Sequence, residues 1–158
     1  MATQTRTKTH QTQVTDDLNH LLALASDLRS QVKQAHWTVV GPNFIALHKL
    51  FDEQAAILLN QVDLMAERVR ALQAIPAGTV RSAASASPLD ELEIGELDEQ
   101  YAVKSILERF EEYSAALADA MKVADEAEDL STQDIYIEAQ REVDLHAYFL
   151  RSHLPAKR

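Results

Sequence analysis

Lys33-Gln-Ala-His-Trp-Thr-Val-Val-Gly-Pro-Asn-Phe-Ile-Ala-Leu-His-Lys-Leu-Phe-Asp52 is the stretch that decides the fold. At its centre, Gly41-Pro42-Asn43 is a tight break. Upstream, Val14, Leu18, Leu21, Leu22, Ala25, Leu28, Val32 and Ala35 recur at three- and four-residue steps. That period predicts an amphipathic helix from near Thr15 to near Val39, with Thr15 or Asp16 as its cap. Downstream, the chain runs from Phe44 to about Gln73 with no Gly or Pro, and stops before Ile75-Pro76. This is a second long helix, for which Asn43 is the expected cap.

Further along, Ala74 to Ser87 carries Gly78, Ser82, Ser85 and Ser87 and reads as a surface loop. Pro88 to Ile94 suits one or two helical turns ended by Gly95. Val103, Ile106, Leu107, Phe110, Tyr113, Leu117, Ala120 and Met121 stripe a third long helix, roughly Asp98 to Glu126. Ser131, with Asp134 three residues on, predicts the cap of a fourth helix reaching about His153, with Pro155 just beyond it. Four long helices with a long connection between the second and third imply an all-α, ferritin-like four-helix bundle with a crossover carrying a short helix. The bundle is expected over residues 14–154, with a flexible basic N-terminal tail over 1–13 and a short C-terminal tail over 155–158.

Composition agrees with this reading and removes several alternatives. Hydrophobic residues make up 46% of the chain, enough for a single packed core and too many for a disordered one. There is no cysteine, which excludes disulfides, thiolate catalysis and Cys-ligated zinc or iron–sulfur centres and fits a cytoplasmic protein. Residues 1–14 are polar, without the apolar segment of a secretory signal, and no apolar run approaches membrane-spanning length. The formal net charge of −10 attracts cations and repels nucleic acid. Arg6, Lys8 and His10, with no acid among them, make the N-terminus a small basic exception.

His36, His48, Asp52, Asp63 and Glu67 are the residues that suggest chemistry, because imidazole and carboxylate together suit iron. His48 and Asp52 are four apart on the second helix, as are Asp63 and Glu67, so each pair shares a face. At about 100° per residue all four fall within an arc of roughly 100°. Such a stripe on a long helix is often merely solvated. Asp52 and Asp63 lie roughly 16 Å apart along the axis at 1.5 Å per residue, so the two pairs cannot meet in one chain. Two copies of the helix, antiparallel across a two-fold axis and crossing near Ile57 and Leu58, would bring each pair to the other and create two identical sites. His36, at the end of the first helix, would complete each one.

The joined pattern His36-Trp37, His48, Asp52, then Asp63-Leu-Met-Ala-Glu67-Arg resembles the signature of the Dps (DNA-protection-during-starvation) mini-ferritins, and the likeness extends from about Val14 to Leu154. The resemblance implies a hollow dodecamer with di-iron ferroxidase centres at two-fold interfaces. His36, His48 and Asp52 would come from one subunit, and Asp63 and Glu67 from its neighbour. Asp52 and Glu67 would be the nearest iron ligands, with His36 opposite, while His48 and Asp63 serve a weaker second position. Trp37 would be the aromatic beside the centre that absorbs stray oxidising equivalents. The oxidant implied is hydrogen peroxide or O2, and the product a stored ferric mineral that protects against oxidative stress. There is no Glu-x-x-His motif, which argues against the intrasubunit site of ordinary ferritins.

The family also places acids around Asp125 to Glu138 at a three-fold pore, where Asp129 and Asp134 are the matching residues. Acids at a helix N-terminus equally favour the helix dipole. Some members bind DNA through basic tails and so associate with the nucleoid. Here Arg6, Lys8, Lys157 and Arg158 provide few phosphate contacts per tail, although twelve tails would add avidity. A DNA-compacting protein with secondary iron chemistry is therefore the alternative reading. His10, His20, His146 and His153 acquire no role.

Overall fold

The structure is a computed structural model that describes the backbone of residues 2–156 and the side chains of residues 11–156. In chain order it contains helix α1 (Ala2–Thr38), strand β1 (Val39–Val40), helices α2 (Phe44–Ala71) and α3 (Val80–Ala86), strand β2 (Leu97–Asp98), and helices α4 (Glu99–Glu126) and α5 (Leu130–His153). The long helices α1, α2, α4 and α5 form a four-helix bundle. Tight turns join α1 to α2 and α4 to α5, so each pair is antiparallel. The connection from α2 to α4 returns the chain along the bundle and carries α3. The core is the apolar stripe of each helix: Leu18, Leu21 and Leu28 of α1, Phe51, Leu58 and Met65 of α2, Phe110 and Tyr113 of α4, and Tyr136 and Val143 of α5 are all fully buried. Burying each such side chain stabilises the fold by about 1.5–3 kcal/mol relative to exposure.

The crossover is fastened at both ends. Near its start, Asn19 of α1 donates to Ile75 O at 3.3 Å and accepts from Ala77 N at 2.8 Å. Near its end, Arg109 of α4 donates to Gln31 Oε1 at 2.7 Å and to Asp90 O at 2.9 Å. β1 and β2 then pair in parallel, Val39 with Leu97 and Val40 with Asp98. This pairing ties the α1–α2 turn to the start of α4, where Asp98 caps the helix by accepting from Gln100 N and Tyr101 N.

Local details depart from the sequence reading in four places. The first helix begins at Ala2 rather than near Thr15. Nothing in the Thr- and Gln-rich run breaks a helix, and Thr15 turns its hydroxyl back to Thr12 O at 2.8 Å instead of capping. The basic side chains assigned to the tail, Arg6, Lys8 and His10, lie outside the described residues, as do Lys157 and Arg158. Asn43 occupies the cap position of α2 but makes no side-chain cap bond, because its amide is engaged by Glu99. The short helix falls on Val80–Ala86 rather than on Pro88–Ile94. Thr79 caps it by accepting from Ser82 N at 3.2 Å, and alanine's helix propensity outweighs the serines read as loop formers. The Pro88–Ile94 stretch is instead drawn out of helix by Leu92, fully buried in the core, and by Arg109's grip on the Asp90 carbonyl. Finally, α5 starts one residue before Ser131, and its cap is Asp129.

Candidate metal centre

His36 ends α1 and His48 opens α2, so the tight turn between the helices brings them face to face. Their rings stack with centroids 3.8 Å apart and planes 20° from parallel. His36 Nδ1 lies 2.7 Å from His48 O, and His48 Nδ1 lies 2.9 Å from His36 O. A carbonyl oxygen only accepts, so each Nδ1 must carry the proton and donate it. This tautomer keeps the ring's lone pair for Nε2, the arrangement that prepares an imidazole to ligate a metal.

The turn beneath this pair depends on one glycine. Gly41 has φ +148°, and a Cβ there would stand 2.6 Å from Glu99 Oε2. Glu99 enters this space from the first turn of α4 and accepts from Asn43 N at 3.0 Å and from Asn43 Nδ2 at 3.1 Å. The parallel β1–β2 pair reinforces the same end of the bundle.

Asp52 lies one turn beyond His48. Lys33 of α1 donates to its Oδ1 at 2.7 Å. That hydrogen bond, followed by the charge of Lys33, holds the Asp52 carboxyl below the usual carboxylate range. The same ammonium stands 5.6 Å from the centre of the Trp37 ring, which is 66% exposed. Lys33 was missed in the sequence reading. Its signal was its spacing, three and four residues before His36 and Trp37 and so on their helical face.

Asp63 and Glu67 are exposed and make no hydrogen bond or ion pair with any described residue. They lie on the stripe of α2 that carries His48 and Asp52, toward its far end. Between the two pairs, on the same stripe, are Ala56 and Leu59, both exposed. Leu58 is fully buried in its own bundle and Ile57 packs against that core, so these two, expected at the helix crossing, face inward. Within one chain, no three His, Asp or Glu side chains among the described residues gather closely enough to hold a metal. The structure thus brings His36 and His48 together, sets Asp52 one turn further along α2 against Lys33, and leaves Asp63 and Glu67 apart.

The acids of the α4–α5 turn differ from one another. Asp129 accepts from Thr132 N at 3.0 Å and from Thr132 Oγ1 at 2.6 Å, and pairs with Arg68 at 2.8 Å. Burial pushes its carboxyl up, but the Thr132 bonds and the Arg68 guanidinium outweigh burial and hold it low. Asp134 is exposed and without a partner among the described residues. Of the histidines without a role, His20 is exposed, His153 half-buried and His146 buried, while His10 lies outside the described side chains. No helix among the described residues is long and apolar enough to cross a membrane.

Comparison with known proteins places this geometry in context. The family model of the ferritin-like domain matches residues 15–157. A DNA protection during starvation protein of Agrobacterium fabrum is 34% identical over 140 residues, covering 89% of this chain and 86% of that protein. The X-ray structure of Dps from Thermosynechococcus elongatus superposes with a TM-score of 0.90 at 26% identity, covering 96% of each chain. Dps from Microbacterium arborescens, solved in a high iron form, gives 0.86 at 31% identity over 91% of this chain and 93% of that one.

Proposed function

The chain belongs to the ferritin-like domain family, among its Dps mini-ferritins, and on that premise we propose that it is a ferroxidase whose site is shared between two copies. Ferrous iron is its substrate. His36, His48 and Asp52 of one subunit face the partner subunit's Asp63 and Glu67 across a two-fold axis. One observation carries this reading. All the donors lie on or beside one stripe of α2, yet they form two half-sites too far apart to meet within a chain. The exposed Ala56 and Leu59 between them supply the apolar contact at which two antiparallel copies of α2 cross, and such an isologous contact completes two sites at once.

The roles are those that the likeness to the Dps proteins implies for these residues. Asp52 and the partner subunit's Glu67 are the anionic ligands nearest the iron. His36 Nε2 approaches from the opposite side, with its ring fixed through Nδ1. His48 and the partner subunit's Asp63 serve the second, weaker position. Iron displaces Lys33 from Asp52, so one cation replaces another and the carboxylate is never left uncompensated. Two ferrous ions give up one electron each. Hydrogen peroxide takes both together with two protons, its O–O bond breaks and two waters leave; O2 is the alternative oxidant. Trp37, exposed beside His36, intercepts stray oxidising equivalents. The ferric product is stored as mineral in a dodecameric shell. Iron enters the shell past Asp134. Asp129, bound to Arg68, holds the turn that presents it. Contact with DNA, through residues 1–13, is secondary and strongly salt-dependent.

Complementation between two inactive variants tests the shared site. Asp52→Asn and Glu67→Gln should each assemble normally and lose fast oxidation. When mixed in equal amounts and reassembled, half of the interfaces pair unlike chains. Each such interface has one intact and one doubly damaged site, so about a quarter of the activity should return. No recovery, with subunit exchange confirmed by mass spectrometry, would refute the shared site.

A further inference from the structure

The contact between the antiparallel helices α2 and α5 is built in regular steps. Arg68 of α2 donates to Thr132 Oγ1 and to Asp129 Oδ1 at the start of α5, each at 2.8 Å. Two turns back along α2, Gln61 donates to Ala139 O at 3.3 Å and to Glu142 Oε2 at 2.9 Å, two turns further along α5. One more such step sets Gln54 level with His146.

At that level the bonding stops. Gln54 is fully buried, and neither its Nε2 nor its Oε1 has a hydrogen-bond partner. His146 is buried as well, and its Nδ1 has no partner either. An amide with an unused donor and an unused acceptor thus lies level with a ring nitrogen that can be either, according to its proton. Phe149 stands edge-on to the imidazole, with ring centroids 5.3 Å apart. Two charged groups act on the ring. They are Glu53 of α2, the neighbour of Gln54, and Glu142 of α5, which already accepts from Gln61. Among the described residues α1 and α4 add none.

We propose that Gln54 and His146 form an acid-sensitive latch between α2 and α5, closed while the imidazole is neutral and loosened when it takes up a proton. A protonated ring carries N–H on both nitrogens, so a donor and a full charge must then lie in the buried contact. Burial opposes that charge more strongly than Glu53 and Glu142 favour it, and holds the imidazole below its ordinary pKa. The unfolded chain, free of that burial, takes up the proton first as pH falls. The contribution of the latch is therefore complete above the ordinary imidazole pKa and is lost as pH falls through it toward the lower folded value. The latch belongs to the bundle itself and stands whether or not the chain oxidises iron.

Two measurements on the full chain test it. Hydrogen–deuterium exchange at the imidazole C2, read residue by residue by mass spectrometry, gives the titration midpoint of each histidine. His146 should titrate below the exposed His20. Gln54→Glu should raise the His146 midpoint above that of His20 by facing the ring with a carboxylate, and Gln54→Leu should lower it further. The melting temperature is then followed from about pH 7.5 to about pH 5.5, across the ordinary imidazole pKa of about 6.5. His146→Gln keeps a polar side chain of similar reach that does not titrate. Its melting temperature should fall less than that of the unaltered protein, by about 2 °C or more. Every other histidine and carboxylate is common to both proteins, so the difference belongs to His146. A His146 midpoint at or above that of His20 in the unaltered chain, a midpoint that Gln54→Glu leaves unmoved, or an equal fall in melting temperature would each overturn the proposal.

Discussion

At the Phe44 end of α2, His48 is stacked on His36, bonded through its ring to a backbone carbonyl, and braced by Gly41, Glu99 and the β1–β2 pair. At the Ala71 end, Asp63 and Glu67 make no hydrogen bond or ion pair with any described residue. One helix thus presents one proposed half-site whose geometry its own chain fixes and another whose geometry its chain leaves free. The difference suits a shared centre. Imidazoles must aim one particular nitrogen and gain from being locked, whereas a carboxylate has two equivalent oxygens and tolerates rotation. It also separates two properties that mutations usually confound, because damage at the Phe44 end should affect stability and chemistry together, while damage at the Ala71 end should affect chemistry alone.

The largest effect expected from breaking this contrast is on rate. His36→Ala removes a proposed ligand and one of the two ring-to-carbonyl bonds, and should slow ferrous oxidation by about 10- to 100-fold while lowering the melting temperature. Asp63→Asn should slow oxidation with no change in melting. Stopped-flow absorbance and calorimetry on the same samples would check both. Equal thermal losses at the two ends would erase the distinction.

The helix termini provide a second comparison. Gly41→Ala places a side chain at φ +148° and against the Glu99 carboxylate. It should destabilise the protein by about 2 kcal/mol. Gly95→Ala, where a Cβ meets nothing within 4 Å, is the control and should be near neutral. Denaturant unfolding at fixed protein concentration distinguishes the two.

A smaller effect concerns charge. Lys33→Met should return the Asp52 carboxyl upward to the ordinary range. In the unaltered protein the folded-state pKa of Asp52 is depressed. The Lys33–Asp52 pair therefore contributes above the ordinary carboxylate pKa and is lost as pH falls through the lower folded value. A carbon-13 titration of labelled aspartates should show Asp52 and Asp129 titrating below the ordinary carboxylate range, and Asp52 alone should move upward in the Lys33→Met variant. The smallest effect lies at the other terminus, where α2 ends with Gln73 at φ +63° and Ala74 N donating to Val69 O. Glycine suits that left-handed position, so Gln73→Gly should stabilise by about 0.5–1 kcal/mol. The same unfolding assay would show it, with the opposite sign to Gly41→Ala.

The contrast between the helix ends also marks what the sequence could reveal. Periodicity alone located the long helices, because their apolar stripes are the core. The stripe of α2 that carries His48, Asp52, Asp63 and Glu67 was legible for the same reason, since its residues repeat at helical spacing. The place of α3 was not, because serine and alanine in 80–86 weigh evenly between loop and helix until Thr79 caps the segment and Ala83 finds α1 to pack against. Glu99 was invisible as a brace because its partner Asn43 lies 56 positions away. The outward face of α2 near the expected crossing was less legible, since the midpoint of the proposed ligands falls at Ile57 and Leu58, which pack inward, while Ala56 and Leu59 face outward. Position along the axis can be counted, whereas rotation about it is decided only once the core has claimed its side.

Trp37 is the only tryptophan in the chain. It follows His36 directly and has Lys33 above its ring. All indole emission from the protein therefore originates beside Lys33, whose ammonium bonds Asp52, with no background from the rest of the bundle. Departure of the ammonium, arrival of a paramagnetic ion and oxidation of the ring would each alter the intensity, and the first two would reverse on chelation while the third would not. The molecule thus carries its own optical probe at the position where one is most useful, without a label or an engineered residue.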